Sequence, residues 1–375
     1  FGKIDSAILN SGVGYTLSVL NYSSVETENT FNPHVLVAVY CIEQLLPDFI
    51  SEKRGTIVGI SSLGDGKGFP KSGFYSASKA ALTILLESLR IELKKYNVKV
   101  ITVKPGFVKT PMTDKNKFKI QGIGIGCPGV VSIKKGVVEN APNLPGWKNV
   151  KLGPILKNKF EYKIHLENDA NAAAIGELIF GSGKKIDSFI MVTLGTGVGG
   201  GIVFNKKIFR GEFGAAGEIG HISIDINGPK CNCGSTGCIE AYAGNSYLKE
   251  QVRSELKNYP DTKVWQLIEN DLSKVSPRII QAAAEKHDAY AKFVIERMGK
   301  QLGAALASLS NLLDISTFII GGGVAGFGKP LFDSIRLTTA ERVLIPLRPR
   351  VLVIPAKLQN EAGIKGASSL VFYNN

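Results

Sequence analysis

"GEIGHISIDINGPKCNCGSTGCIEAYAG", residues 217–244, holds three of the five cysteines and one of the four histidines of a 375-residue chain. The cysteines follow the spacing C-x-C-x4-C, and the histidine lies ten residues upstream. Three thiolates and one imidazole make the closed tetrahedral donor set of structural zinc, whereas a catalytic zinc keeps an open position. The alternative is a group of buried free thiols beside a core histidine. We predict a structural Zn²⁺ site with the ligands His221, Cys231, Cys233 and Cys238.

The same stretch resembles the signature of the ROK family, which comprises repressors, open reading frames and sugar kinases. The family pattern is E-x-G-H, six residues, then G-x-x-C-x-C-G-x-x-G-C-x-E, and residues 218–240 match every fixed position. Further family motifs occur in the family's order from Ile120 onward: GIGIGCPG, LPGWKNV, ENDANAAAIGE, LGTGVGGGIV and IIGGGVAG. The resemblance implies an actin-like (ribonuclease H-like) two-lobed ATPase fold. It also implies glucokinase-like phosphorylation of a hexose by ATP with Mg²⁺.

Asp169 falls at the start of a predicted helix, where the helix dipole favours a carboxylate. Taken alone, Asn168 and Asp169 would be an ordinary helix N-cap pair. The ROK resemblance implies that Asp169 is the general base, which takes the proton of the sugar hydroxyl as it attacks the γ-phosphate. It also implies that a zinc-bound ring nitrogen of His221 would direct the other ring nitrogen toward the sugar. The substrate-binding residues implied by the family are Asn168, Asp169, Glu218, His221 and Glu240.

Two glycine-rich turns follow predicted strands, one after FIMVT and one after STFII. Successive backbone N–H groups in such turns can bind phosphate, although an isolated turn of this kind is more often a plain hairpin. The resemblance implies that the first turn holds phosphate and the second lies on the adenosine side. GSGKK at residues 181–185 lacks the upstream glycine of a Walker A motif and predicts no phosphate site. The cofactor-binding residues are therefore Gly195, Thr196, Gly197, Gly199, Gly321, Gly322 and Gly323.

The first part of the chain has a different pattern, in which short apolar runs alternate with helical stretches, as in a parallel sheet with helices on its faces. Ser62 follows the predicted strand GTIVGI, and Tyr75 and Lys79 share one face of the next helix. A lysine one turn from a tyrosine lowers the phenol pKa, and a serine hydroxyl can bind the same substrate oxygen. These three residues form an acid/base set suited to carbonyl reduction.

Ser62, the YxxxK spacing of Tyr75 and Lys79, LNSG at residues 9–12 and KPGFVKT from residue 104 resemble the short-chain dehydrogenase/reductase family. The resemblance implies a partial Rossmann-like parallel sheet and an NAD(P)-dependent oxidoreductase. The family's glycine-rich dinucleotide loop is not found in residues 1–118, so the cofactor cradle is expected to be missing. His34 also stands where the family has its active-site asparagine. Reductase activity is therefore not expected from this segment.

We predict a boundary near residue 118, with a reductase-like segment over residues 1–118 and a ROK-like segment over residues 119–375. The lysine-rich stretch TDKNKFK, residues 113–119, is the predicted linker. ROK family members begin with a strand carrying D-x-G-G-T, which meets the β- and γ-phosphates and Mg²⁺. That motif is not found in this sequence, so the ROK-like segment is expected to be truncated and slow in catalysis. Loss of both cofactor loops favours a misjoined sequence over a natural bifunctional enzyme.

Composition limits the possible partners. The net charge of +13 comes from 45 Lys+Arg against 32 Asp+Glu, but these charges are scattered, so no nucleic-acid partner is expected. No apolar run reaches the roughly 18 residues of a membrane helix, and clustered cysteines fit a reducing compartment. A cytoplasmic protein with a small hexose substrate is expected. The ROK resemblance implies a homodimer, and it leaves open a sugar-responsive regulator without catalysis.

Overall fold

The structure is a computed structural model that describes residues 4–14, 18–106, 121–141 and 144–373. The chain divides into two compact units, Phe1–Lys119 and Ile120–Asn375. Both units are built from strands and helices, as expected for an α/β protein. The linker predicted over residues 113–119 lies outside the described residues.

The first unit contains a three-stranded parallel sheet in the order β1-β2-β3. Its strands are β1 (Ser6–Leu9), β2 (Gly55–Ile60) and β3 (Val98–Val103). Its helices are α1 (Ser24–Phe31), α2 (Val37–Glu52) and α3 (Gly73–Leu93), with a π-helical turn, Asn32–Leu36, between α1 and α2. The parallel pairing agrees with the Rossmann-like sheet predicted from the alternation of strands and helices.

The core of the first unit lies on one face of this sheet. Ile57 and Val100 point toward Ile42 on α2 and Leu86 on α3, and all four side chains are buried. On the opposite face Ile8 is 69% exposed and Ile101 is 46% exposed. A sheet of this kind normally has both faces covered, so the described first unit has the packing of half a doubly wound domain.

The helical stretch Ser24–Glu52, with a mean hydropathy of 1.3, is long and apolar enough by length and composition to cross a membrane. It is not an uninterrupted apolar run, because His34 and several acidic side chains interrupt it. The stretch contributes Ala38, Ile42 and Phe49 to the core of the first unit. In the structure it is therefore a helix pair packed on a sheet.

The second unit contains three sheets. The largest has the order β11-β10-β9-β12-β13. Strands β9, β12 and β13 are parallel to one another, and β10 pairs antiparallel with both of its neighbours, β9 and β11. A parallel pair, β4-β8, and an antiparallel set, β5-β6-β7, precede it in the chain. The strands are β4 (Gly122–Cys127), β5 (Val130–Ser132), β6 (Val137–Asn140), β7 (Lys148–Val150), β8 (Lys163–Asn168), β9 (Phe189–Leu194), β10 (Val198–Phe204), β11 (Lys207–Phe209), β12 (Thr317–Gly321) and β13 (Leu352–Pro355).

Helices cover both faces of the five-stranded sheet. Alternate residues of β9 point to opposite faces, so Ile190 packs in the cluster with α10 and α11, whereas Met191 packs in the cluster with α5 and α12. The result is a three-layer α/β/α arrangement. The helices of the second unit are α4 (Leu152–Lys157), α5 (Asp169–Phe180), α6 (Glu240–Ala243), α7 (Asn245–Glu255), α8 (Lys263–Leu267), α9 (Pro277–Glu285), α10 (Ala289–Leu313), α11 (Lys329–Arg342) and α12 (Ala362–Tyr373).

Helix α5 packs against α12 with almost no space between the two backbones. A Cβ atom at Gly176 would overlap the carbonyl of Ala362, and one at Gly366 would overlap the carbonyl of Ala172. Only glycine permits this approach at both positions. The consequence for the site is that α5, which carries Asp169 at its first residue, is fixed along its length by α12.

Glu177 fixes the other end of α5, because its buried carboxylate binds backbone N–H groups of two neighbouring segments. Its side chain is fully buried and accepts hydrogen bonds from the backbone N–H groups of Ser182 at 2.7 Å, Lys357 at 3.2 Å and Leu358 at 2.6 Å. Charge-assisted hydrogen bonds to backbone N–H groups compensate for burying the charge. This carboxylate therefore joins the end of α5 to the segment after β13.

We predict that Glu177→Gln lowers the free energy of unfolding by roughly 3 kcal/mol. The side-chain amide keeps one acceptor oxygen but turns an NH₂ group toward backbone N–H donors. Urea unfolding measures this effect, with the exposed Glu341→Gln as the control that should change stability little. Equal stability of the two variants would contradict the structural role of the carboxylate.

Candidate active site

The turn from β8 into α5 positions the predicted base. Asn168 is the N-cap of α5, and its Oδ1 accepts hydrogen bonds from the backbone N–H groups of Ala170 at 2.9 Å and Asn171 at 3.0 Å. Its Nδ2 donates to the carbonyl of Gly129 at 3.0 Å, which ties the helix start to the loop after β4. Asp169 follows in the first turn of α5, as its sequence position predicts. Asn168 thus acts as a cap as well as facing the cleft.

An open cleft with a volume of about 780 Å³ brings together residues from several separate stretches of the second unit. All five predicted substrate-binding residues line it, as do the four predicted residues of the first glycine-rich turn. Gly322 of the second turn also lines the cleft, whereas Gly321 and Gly323 are not among its lining residues. The predicted residues along the cleft are Asn168, Asp169, Glu218, His221, Glu240, Gly195, Thr196, Gly197, Gly199 and Gly322.

Burial changes the acidity of Asp169 and Glu218, two of the three carboxylates in this cleft. It raises the pKa of Asp169, and the backbone N–H of Ala170 opposes this effect. Burial also raises the pKa of Glu218; His221 acts in the opposite direction, and the nearby charges of Asp169 and Glu240 add to the rise. Three carboxylates therefore share one partly desolvated space. Such perturbed groups in a cleft are typical of functional sites.

The four predicted zinc ligands form one cluster. Their ligand atoms all lie within 4.8 Å of one another. The Sγ atoms of Cys233 and Cys238 are 3.6 Å apart, and Cys231 Sγ is 3.8 Å from His221 Nδ1. Tetrahedral zinc with Zn–S bonds of about 2.3 Å requires sulfur–sulfur distances of about 3.8 Å. The donor set and its spacing therefore could hold a tetrahedral metal ion.

His221 has its two ring nitrogens in different surroundings. Nδ1 faces the cysteine cluster, and Nε2 lies 3.9 Å from Glu218 Oε2 on the side of the cleft. Tyr247 reinforces this wall, because its hydroxyl accepts a hydrogen bond from the backbone N–H of Asn232 at 2.8 Å. The cluster and the cleft thus share one histidine.

Glu240 connects this wall to the first glycine-rich turn. Its Oε2 accepts a hydrogen bond from the backbone N–H of Val198 at 2.9 Å. A Cβ atom at Gly197 would overlap the same carboxylate oxygen. The turn is a tight hairpin between β9 and β10, and it also faces the cleft. It can therefore be a hairpin and still offer its backbone N–H groups to a phosphate. One oxygen of Glu240 is engaged by the backbone.

Gly322 requires glycine for a geometric reason. Its φ is +90°, and a Cβ atom there would overlap the backbone of Leu194. This conformation directs the chain after β12 toward the hairpin turn at the end of β9. The two glycine-rich segments, which are far apart in sequence, therefore meet at one edge of the sheet.

The three reductase-like residues lie at one end of the sheet in the first unit. Ser62 caps the turn after β2 by accepting a hydrogen bond from the backbone N–H of Gly64 at 3.0 Å. Tyr75 and Lys79 lie on α3, and Lys79 Nζ donates to the carbonyl of Ile60 at 3.0 Å. Burial lowers the pKa of Lys79. The lysine thus has a backbone partner at the end of β2.

His34 lies between this set and the loop after β1. Its Nε2 accepts from the backbone N–H of Val13 at 2.8 Å, so the ring proton is on Nδ1, which lies 2.6 Å from Ser78 Oγ. Its ring meets Tyr75 edge-on, with centroids 5.4 Å apart. Burial, followed by the charge of Lys79, lowers the pKa of His34 to about 4. His34 is therefore neutral at physiological pH.

Some lining residues were not predicted from sequence. Pro128 and Gly129, which follow β4, and Ser246 and Tyr247, in the first turn of α7, also line the cleft. Pro128 and Gly129 belong to the GIGIGCPG motif, so their position after β4 was an available signal. Ser246 and Tyr247 begin α7, and no local pattern distinguishes them from other helix-start residues.

Comparison with known proteins finds a profile match in each part of the chain. The ROK family profile matches residues 102–373, and the short chain dehydrogenase profile matches residues 1–120. A glucokinase from Thermotoga maritima is 34% identical over 249 residues, which cover 66% of this chain and 78% of that protein. A xylose repressor from Caldicellulosiruptor bescii is 33% identical over 266 residues, which cover 70% of this chain and 64% of that protein.

A solved structure extends the comparison to the fold. It is a ROK family glucokinase from Streptomyces griseus in complex with glucose and AMPPNP, 35% identical, with a TM-score of 0.62. The match covers 69% of this chain and 83% of that chain. The predicted actin-like ATPase fold is thereby confirmed. On the evidence of its cysteine and histidine signature, its motif order and its fold, this chain belongs to the ROK family.

Proposed function

We propose that the second unit binds a hexose of the glucose type and transfers the γ-phosphoryl group of ATP to one of its hydroxyls. The observation that supports this most directly is the cleft itself. It brings together Asp169 at a helix N-terminus, carboxylate, amide and imidazole side chains, and residues of two glycine-rich turns. A hexose offers several hydroxyls, each both donor and acceptor, which suits carboxylate, amide and imidazole groups.

Asp169 would act as the general base. A carboxylate whose pKa is raised by burial accepts a proton more readily than an ordinary aspartate. The Asn168 cap holds the start of α5 and thereby orients Asp169 toward the cleft. Glu218 and His221 would bind the remaining hydroxyls and fix the sugar relative to the base.

Zn²⁺ fits the cluster of His221, Cys231, Cys233 and Cys238 in donor type and in spacing. When bound, it would supply structural cross-linking and hold His221 through Nδ1 so that Nε2 points into the cleft. Thiols retained for metal binding also favour a reducing, cytoplasmic location for the protein. No step of phosphoryl transfer needs the metal directly.

ATP would bind with its phosphates against the first glycine-rich turn, residues 195–199, and Gly322. Mg²⁺ would enter with the nucleotide, because Mg²⁺ takes most of its ligands from phosphates and water in such sites. No side chain of this chain is assigned to Mg²⁺. The D-x-G-G-T motif is not in this sequence, so we expect a rate orders of magnitude below that of an intact kinase.

A sugar-responsive regulator without catalysis is the second candidate function. The similarity to xylose repressors supports it. The regulators of this family that the sequence resembles carry a winged helix-turn-helix ahead of the sugar-binding domain. The first unit here has a parallel sheet flanked by helices instead, which favours the kinase proposal.

An NAD(P)-dependent oxidoreductase is the third candidate, supported by the profile match over residues 1–120 and by Ser62, Tyr75 and Lys79 at one end of the sheet. The glycine-rich dinucleotide loop is not found in the sequence. Lys79 is also engaged by the carbonyl of Ile60. We therefore rank this activity below the kinase activity.

We predict that Asp169→Asn lowers glucose-dependent ADP release by at least about 10²-fold, because the variant lacks the general base. Glucose binding should change only a few-fold, because the amide still offers hydrogen bonds. A coupled ADP assay and isothermal titration calorimetry measure the two quantities, with the exposed Asp261→Asn as control. Unchanged turnover in Asp169→Asn would refute its role as the base.

We predict that protein purified without chelators contains about one zinc per chain and that Cys238→Ser loses most of it, because three ligands hold zinc far less tightly than four. Elemental analysis measures the metal, and thermal unfolding should shift downward when a chelator removes it. Cys41→Ser, in the first unit, is the matched control. If the protein purified without chelators contains no zinc, and a chelator leaves its melting temperature unchanged, the zinc assignment is wrong.

We predict that NADH and NADPH do not bind at millimolar concentration, because the pyrophosphate lacks a glycine-rich loop. Fluorescence titration of the reduced nucleotide measures this directly. Saturable binding that is lost in Lys79→Met would instead support the oxidoreductase candidate.

A further inference from the structure

Two residues outside the cleft connect the segments that carry its key side chains. Glu167 is the penultimate residue of β8, immediately before Asn168 and Asp169. Arg210 directly follows β11 and begins the loop that leads to Glu218. Neither side chain is among the residues that line the cleft.

Glu167 is 1% exposed, and both of its carboxylate oxygens are used. Oε2 accepts hydrogen bonds from Arg210 Nε and Nη2, each at 2.8 Å. Oε1 accepts from the backbone N–H of Asn168 at 3.1 Å and from Asn171 Nδ2 at 3.2 Å. One buried carboxylate thus joins the arginine to the first turn of α5.

Arg210 also controls the loop that follows it. The backbone N–H of Ala216 donates to the carbonyl of Arg210 at 3.1 Å, so the loop returns to its starting residue. Gly214, Ala216 and Gly217 line the cleft just before Glu218. The position of Arg210 therefore sets where this loop and the adjacent Glu218 lie relative to Asp169.

Attaching a loop through a charged pair costs desolvation energy that an apolar contact would not. Burying a carboxylate and a guanidinium costs desolvation energy, and apolar residues of similar size often stabilise a fold as well or better. What the pair offers is a fixed geometry, because the planar guanidinium directs two N–H groups at one oxygen. A fixed geometry is useful where a small displacement of a binding residue would weaken substrate binding or slow the reaction.

We propose that Glu167 and Arg210 are positioning residues, which hold loop 210–218 and its Glu218 at a fixed distance from Asp169. The proposal rests on the proposed function for its reference to a bound hexose. The attachment of the loop to β8 is a property of the folded chain and can be measured without any ligand.

The test compares the intact chain with Arg210→Met by hydrogen exchange and mass spectrometry, and by glucose titration calorimetry. We expect backbone amides of residues 211–218 to exchange at least about tenfold faster in the variant. The glucose Kd should rise by about 10–100-fold, while zinc content stays unchanged. Arg297→Met is the matched control. Arg297 donates two hydrogen bonds to Glu255, at 2.8 and 2.9 Å, and neither residue lines the cleft.

The double variant Glu167→Gln/Arg210→Met separates positioning from stability. It leaves no unpaired buried charge, so its melting temperature should recover relative to Arg210→Met, whereas loop exchange should remain fast and glucose binding weak. If Arg210→Met does not fold, Arg210→Lys retains the charge without the planar pair of N–H groups and should show the same changes to a smaller degree.

Wild-type exchange rates in loop 211–218 of the variants would overturn the proposal, whatever happens to glucose binding. Fast loop exchange with an unchanged glucose Kd would also overturn it, since the pair would then be structural only. If the wild-type chain fails to bind glucose, the proposed function fails; faster loop exchange in Arg210→Met would still support the attachment of the loop to β8.

Discussion

The turn from β8 into α5 is the constraint on which the candidate site depends. A helix N-terminus must satisfy its free N–H groups and favours negative charge nearby. Asn168 satisfies two of these groups and also binds the carbonyl of Gly129, while Asp169 uses the favourable field. Because Asn168 and Asp169 are adjacent in sequence, any contact that fixes the position of α5 also fixes the carboxylate of Asp169. Gly176 and Gly366 fix the helix by letting α5 and α12 pack closely, and Glu177 fixes its far end by binding the backbone after β13.

Features that depend on local spacing could be predicted from the sequence. The thiols and the imidazole of the metal cluster lie within 18 residues of one another, and tetrahedral coordination restricts such spacings strongly. The alternation of apolar runs predicted the parallel sheet of the first unit for a similar reason. The strand-to-helix step at Asp169 was visible because the cap residue and the helix periodicity are contiguous.

Features that depend on distant pairing could not be predicted. Glu167 meets Arg210 across 43 positions, and Glu177 meets Leu358 across 181 positions. A single sequence gives no signal for such partners, because a glutamate on a helix or strand is ordinarily a solvent-exposed residue. The same limit applies to His34, whose unusual position in the sequence was evident but whose neutral ring depends on burial and on the nearby Lys79.

The close contact of α5 with α12 has a consequence for how the protein is made. Helix α12 leaves the ribosome after every other helix of the described chain, so the glycine-to-carbonyl contacts of Gly176 and Gly366 form only once α12 has been synthesised. At ordinary elongation speeds, α5 waits on the order of ten seconds or more for this partner. During that time its small apolar side chains face water or a chaperone. The cluster of His221, Cys231, Cys233 and Cys238 needs only nearby residues. It could therefore form well before the helix that carries Asp169 is fixed by α12.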